Sequence, residues 1–188
     1  MAEMPERPKP GYAHVDIWGF FPDPRARVID DSESNFERHL MPPKRLRSLA
    51  DVQGFDKDAI RRLLTDGPKE TTPVYLTNLR SITSANTDVG SLNQLFHVWE
   101  YRGPISAQDM KDLLTVQGRD ELKKEYEEAD PLADVQVVIW FCQSEVLFVG
   151  LHQLNSGEGI YSVFTLERDP ASIFGVGIPR IMRDSQSA

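Results

Sequence analysis

The sequence predicts an α+β fold: an antiparallel sheet with short helices packed around it. Three observations lead there. VQVVIWFC (135–142) and EVLFVGLHQL (145–154) are apolar at nearly every position and flank Gln143-Ser144, which reads as a hairpin with a tight turn. Two further runs, NQLFHVWEYRG (93–103) and IYSVFTLER (160–168), have strand composition. The helical patterns are short and fall at 44–65 and 107–128, outside the strand cluster. The sheet is therefore expected on strands near 93–102, 135–142, 145–152 and 160–166, with peripheral helices.

Taken in order, residues 1–12 form a Pro-rich, extended arm ahead of a single domain over 13–178. HVDIWGFF (14–21) alternates and reads as a short strand closed by Pro-Asp-Pro. SNFERHLM (34–41) is a second candidate strand, stopped by Pro42 and Pro43, which also suit a helix start. Leu46, Leu49 and Ala50 then recur at helical spacing until Gly54 interrupts. A second helix runs from about Asp56, a plausible N-cap with Phe55 and Ile60 at staple positions, to Thr65, and Gly67-Pro68 ends it.

Residues 68–91 are rich in Thr, Ser, Asn and Gly and read as exposed loop. SAQD (106–109) has the form of a capping box, flanked by Ile105 and Met110. Its helix presents Met110, Leu113 and Leu114 on one face and stops near Gly118. RDELKKEYEEA (119–129) reads as a charged surface helix whose apolar stripe is only Leu122 and Tyr126. Because both runs of the 135–154 hairpin are apolar throughout, the sheet should be covered on both faces there. NSGEG (155–159) is a turn. Gly175 and Gly177 mark another, and Pro179 opens a helix (179–188) that stops at Ala188.

The chain has 188 residues and a net charge of −8, which argues against a general phosphate-binding surface. Cys142 is its only cysteine, so no intrachain disulfide forms, and nothing points to secretion. No run approaches the ~18 apolar residues of a membrane span.

Candidate chemistry is sparse. His14, His39, His97 and His152 lie in four separate segments, none in a metal-ligand spacing. His14 and Asp16 would share one face of a strand as a weak pair, while His97 and Glu100, three apart, would fall on opposite faces. A metal-dependent hydrolase drawing on His14, Asp16, His39, His97 and Glu100 is the weakest reading, since it requires spatial convergence that the sequence does not indicate. Cys142 reads as a small buried thiol. There is no nucleophile elbow, phosphate loop or dinucleotide fingerprint. The expectation is a protein without catalytic residues, cofactor or metal, hence not an enzyme.

The charges are more suggestive. Residues 42–64 hold Lys44, Arg45, Arg47, Lys57, Arg61 and Arg62 against three acids, a net of +3. Residues 109–130 hold eight acids, Glu121, Glu125, Glu127 and Glu128 among them, against four bases, a net of −4. These are either two ordinary solvated helix faces or two patches that meet across a subunit boundary in a head-to-tail ring.

Three stretches resemble a known family: SNFERHLMPPKRLRSLADVQGFDKDAIRRLL, HVWEYRGPISAQDMKDLL, and VVIWFCQSEVLFVGLHQLNSGEGIYSVFTLERDPASIFGVGIPRIMRDSQSA. Together they are similar to the portal, or head-to-tail connector, proteins of short-tailed bacteriophages. The most specific part is YSVF, an acidic-Arg turn, then FGVGIP leading into RDSQ.

The resemblance implies a structural virion protein in a dodecameric ring at one capsid vertex, made in the bacterial cytoplasm. DNA enters and leaves through such a ring, and terminase, scaffold or capsid proteins and tail adaptors dock on it. The matching part is the wing-side region before the stem, so the chain reads as an internal piece of a portal: an excised domain, a split gene or a prophage remnant. A freestanding prophage-derived binding module is the alternative, and self-association separates the two.

Overall fold

Five strands form one antiparallel sheet in chain order in the computed structural model, which describes residues 13–69, 95–152 and 160–177. They are β1 (Phe20–Pro22), β2 (Asn35–Met41), β3 (Phe96–Ser106), β4 (Asp134–Cys142) and β5 (Glu145–Leu151). Between β2 and β3 lie α1 (Pro43–Leu49) and α2 (Lys57–Asp66); between β3 and β4 lie α3 (Ala107–Val116) and the single turn α4 (Asp120–Lys123). The α+β class follows directly.

Alternation along β3 and β4 assigns each side chain to a face. Phe96, Val98 and Cys142 join Met41, Leu46, Ala59, Ile60, Leu63 and Leu147 in a core beneath α1 and α2. Val137, Ile139 and Val149 meet Met110 and Leu114 of α3 in a second core. The central strands are thus covered on both sides, as their unbroken apolar runs require. A register shift between Trp140 and Phe141 pairs Trp140 with Phe148 but Phe141 with Val146. Leu147 is the extra residue and turns into the α1–α2 core, and Phe148 stacks on Phe55 at its rim, while Val146 and Val149 serve the α3 side.

Local signals in the sequence produce the caps. Asp56 Oδ1 accepts from the backbone N–H of Asp58 (2.8 Å) and Ala59 (3.0 Å), and Asp56 N–H donates to Leu147 O on β5 (2.8 Å). Ser106 Oγ accepts from Asp109 N–H (3.0 Å) and donates to Asp109 Oδ2 (2.7 Å), closing the box at the start of α3. In the β4–β5 turn Gln143 has φ +55°, a costly value for a residue with a Cβ. Its side chain repays that by donating to Gly67 O at the end of α2 (3.1 Å). The outer edge of β5 is occupied: Leu147 O takes the Asp56 N–H, and Val149 O takes Arg119 Nη1 (2.9 Å).

Three expectations need correction. Residues 160–166 are not a strand, although their composition suits one. A strand requires a partner edge, and two outward carbonyls of β5 are taken by Asp56 and Arg119; the segment crosses the sheet face through Tyr161 instead. Residues 14–21 are a 3₁₀ turn (Ile17–Gly19) with strand only from Phe20, because Asp16 accepts from Trp18 N–H (3.1 Å) and caps the turn. Residues 119–129 do not make one helix: α4 is followed by a 3₁₀ turn, Lys124–Tyr126. Leu122 is exposed, so the apolar stripe is nearly absent, and Glu125, Glu127 and Glu128 crowd the end where the helix dipole disfavours anions. The expected arm (1–12), most of the 68–91 loop, the 155–159 turn and the helix from Pro179 lie outside the described residues.

Leu147, fully buried, and Asp56 test this account separately. Leu147→Ala should lower unfolding free energy by about 2–5 kcal/mol through the cavity it leaves. Asp56→Ala should lower it by about 1 kcal/mol, with Asp56→Asn near wild type. Urea unfolding with unchanged m-values measures both.

Candidate functional site

Strand geometry also gathers polar groups. Glu37 and His39 are two apart on β2, and Glu100 and Arg102 are two apart on β3, so each pair projects from one face. The register places Glu37 opposite Glu100 and His39 opposite Val98. This is the α1–α2 face, since Val98 belongs to that core, and Tyr161 from the segment after β5 reaches the same cluster.

Glu100 is only 4% exposed, a carboxylate that burial penalises unless partners surround it. Its Oε1 is in contact with Arg102 Nη2, and its Oε2 lies 3.0 Å from His39 Nε2. Glu37 Oε2 accepts from the Tyr161 hydroxyl (3.1 Å). Glu37 Oε1 is 3.6 Å from His39 Nδ1, too long for a hydrogen bond, so that oxygen is not committed to the ring. The imidazole stacks on Trp140 (4.9 Å between centroids, 5° between planes), and Phe20 packs on Tyr161 at 4.7 Å. Apolar walls thus bound the cluster on two sides.

The electrostatics follow the geometry. Burial pushes the Tyr161 phenol well above its ordinary range, and the negative charges of Glu37 and Glu100 add to the shift. Burial and the Arg102 charge push His152 down, against the opposing pull of Glu100. One ligand atom each from Glu37, His39 and Glu100 lie within 4.8 Å of one another, the one such grouping among the described residues.

Of the five residues considered for metal-dependent chemistry, the structure brings together His39 and Glu100. Asp16 is a turn cap, and His14 is exposed outside the cluster. His97 is buried on the opposite face of β3 from Glu100, as their spacing requires. Sequence reasoning missed Glu37, Arg102 and Tyr161. The Glu37-x-His39 and Glu100-x-Arg102 alternations were available signals; what tied them together was the β2–β3 register.

The charged patches are on the surface. Lys44, Arg45, Arg47, Arg61 and Arg62 are exposed on α1 and α2, and Glu121, Glu125, Glu127 and Glu128 are exposed in and after α4. Two of the bases are engaged within the chain: Arg61 with Asp58 (2.8 Å) and Arg62 with both oxygens of Glu145 (2.7 Å at the shortest). Cys142 is fully buried, as expected of a small core thiol. Among the described residues no helix is long and apolar enough to cross a membrane. The chain matches no family model and no curated protein sequence.

Tyr161 offers a direct check on the site. Tyr161→Phe should lose about 1.5–3 kcal/mol of stability at pH 7, the value of a hydroxyl donated to a carboxylate. The phenol's folded pKa is raised, so its contribution is full below the unfolded value of about 10 and is lost as pH rises above it. The variant's stability should therefore fall less steeply than wild type above pH 10 in urea unfolding.

Proposed function

We propose that the chain is a structural domain of a ring-forming phage portal, equivalent to the wing-side region before the stem, and that it has no catalytic role. One observation supports this reading above the others: the basic and acidic patches belong to opposite faces of the sheet. Lys44, Arg45 and Arg47 ride on α1, which covers one core. Glu121, Glu125, Glu127 and Glu128 follow α3, on the side where Tyr126 packs against the other core.

Opposite charges on opposite faces favour one mode of assembly. A two-fold pair buries the same patch on both subunits and brings like charges together. A head-to-tail contact brings the basic face of one subunit to the acidic face of the next, and rotation closes such contacts into a ring. The resemblance to portal proteins supplies the ring, its place at the capsid vertex and its traffic with terminase, scaffold and tail adaptors. The same ring is the route for DNA, so an acidic chain does not have to grip phosphate itself.

Arg61 and Arg62 are poor places to test this, because reversing Arg62 also breaks its pair with Glu145. Lys44, Arg45 and Arg47 have no ion-pair partner among the described residues. Light scattering of the purified chain across concentration should show reversible association that weakens at high salt. Lys44→Glu, Arg45→Glu and Arg47→Glu together should abolish it with folding intact. A monomer at every concentration and salt, or a triple variant that associates like wild type, overturns the head-to-tail contact.

A further inference from the structure

The Glu37, His39 and Glu100 cluster has an arrangement that an ion-pair network alone does not require. Each carboxylate has one oxygen held from outside and one turned inward. Arg102 takes Glu100 Oε1 and leaves Oε2 facing His39 Nε2; Tyr161 takes Glu37 Oε2 and leaves Oε1 facing the ring. The ring presents Nε2 to Glu100 and Nδ1 to Glu37, and outer partners that orient each carboxylate are the support that metal ligands receive. The two carboxylates outnumber the one guanidinium in a site where Glu100 is 4% exposed.

We infer that Glu37, His39 and Glu100 form a binding site for a first-row divalent cation between Mn²⁺ and Zn²⁺ in character. The donor set decides the class: one imidazole nitrogen and two carboxylate oxygens, with no thiolate, suit a borderline ion rather than a soft one. The spacing is compatible. His39 Nε2 and Glu100 Oε2 are 3.0 Å apart. Two adjacent ligands, each about 2.1 Å from a cation and at a right angle, are separated by about 3.0 Å. Glu37 lies within 4.8 Å, on the Nδ1 side of the ring; binding replaces the His39–Glu100 hydrogen bond and turns the Glu37 carboxylate inward, since ligands about 2.1 Å from one ion stand no more than about 4.2 Å apart.

The consequence is mechanical. Glu37 and His39 stand on β2 and Glu100 on β3, while Tyr161 ties Glu37 to the segment that follows β5. A bound cation would pin the β2–β3 register and, through Glu37, fix where that segment rests. This inference does not depend on the portal reading.

The test is isothermal titration of the untagged, metal-stripped chain with Mn²⁺ and, separately, Zn²⁺. One saturable equivalent is expected, weakened at least tenfold in His39→Asn and in Glu37→Gln. Glu37→Gln is the milder substitution because the amide keeps the shape of the carboxylate, so it still decides the matter if the His39 variant does not fold. A third reading needs no variant: Mn²⁺ is paramagnetic and should broaden the His39 ring signals ahead of those of His14, His97 and His152. Absence of saturable binding, unchanged affinity in a folded Glu37→Gln, or broadening confined to the other histidines overturns the site.

Discussion

β3 lies at the centre of the sheet, and its register with β2 is the constraint on which the rest depends. One face of β3 carries Phe96, Val98, Glu100 and Arg102; the other carries His97, Trp99 and Tyr101. A one-residue slip exchanges these sets. Glu100 would then lose His39, and Phe96 and Val98 would leave the core under α1 and α2. The register is held from both ends of the strand. Met41, paired with Phe96, is buried at one end, and Phe36 and Tyr101 pack at 4.8 Å toward the other. The polar cluster inherits its geometry from apolar packing on either side of it.

The same sheet explains the distribution of charge. Its central strands are apolar on both faces, so both faces need helices, and each helical layer presents its own outer surface to solvent. The layers can then carry different charges without conflict inside the subunit. Among the described residues they approach one another around the β5 edge, where the start of α2 and Arg119 close off the strand. Arg62 is spent there on Glu145, which anchors α2 to the hairpin. That internal use separates it from Lys44, Arg45 and Arg47, although all four look alike in sequence.

What was legible in the sequence was local. Gln143-Ser144 declares a hairpin because the runs flanking it are long and apolar. Asp56 and Ser106 declare helix starts because their partners lie two or three residues away. Whatever depends on a distant partner was not legible. Ile160–Leu166 has strand composition, but composition does not reveal that Asp56 and Arg119 already hold the β5 edge. Glu37 and Glu100 are 63 positions apart in the numbering, and their meeting follows from the β2–β3 pairing alone. Tyr161 is more remote still, joined to Glu37 across 124 positions. A sequence scan for closely spaced ligands cannot find a site assembled in this way.

A cluster with Glu100 at its base is an expensive way to fill this part of the sheet face. Apolar residues of similar volume would often stabilise a fold as well or better, because desolvating a carboxylate offsets much of what its partners return. Net stability therefore does not explain it; whether or not a cation is bound, what it adds to the fold is specificity. Every member of the cluster has a directional requirement: Arg102 for one oxygen of Glu100, His39 for the other, Tyr161 for Glu37, and Trp140 for the plane of the imidazole. A shifted register or a displaced 160–177 segment satisfies few of these together. Apolar contacts tolerate such shifts far better, since burial is non-directional. The greasy cores thus drive β2, β3 and β4 together, and the polar cluster rejects the wrong alignments among them.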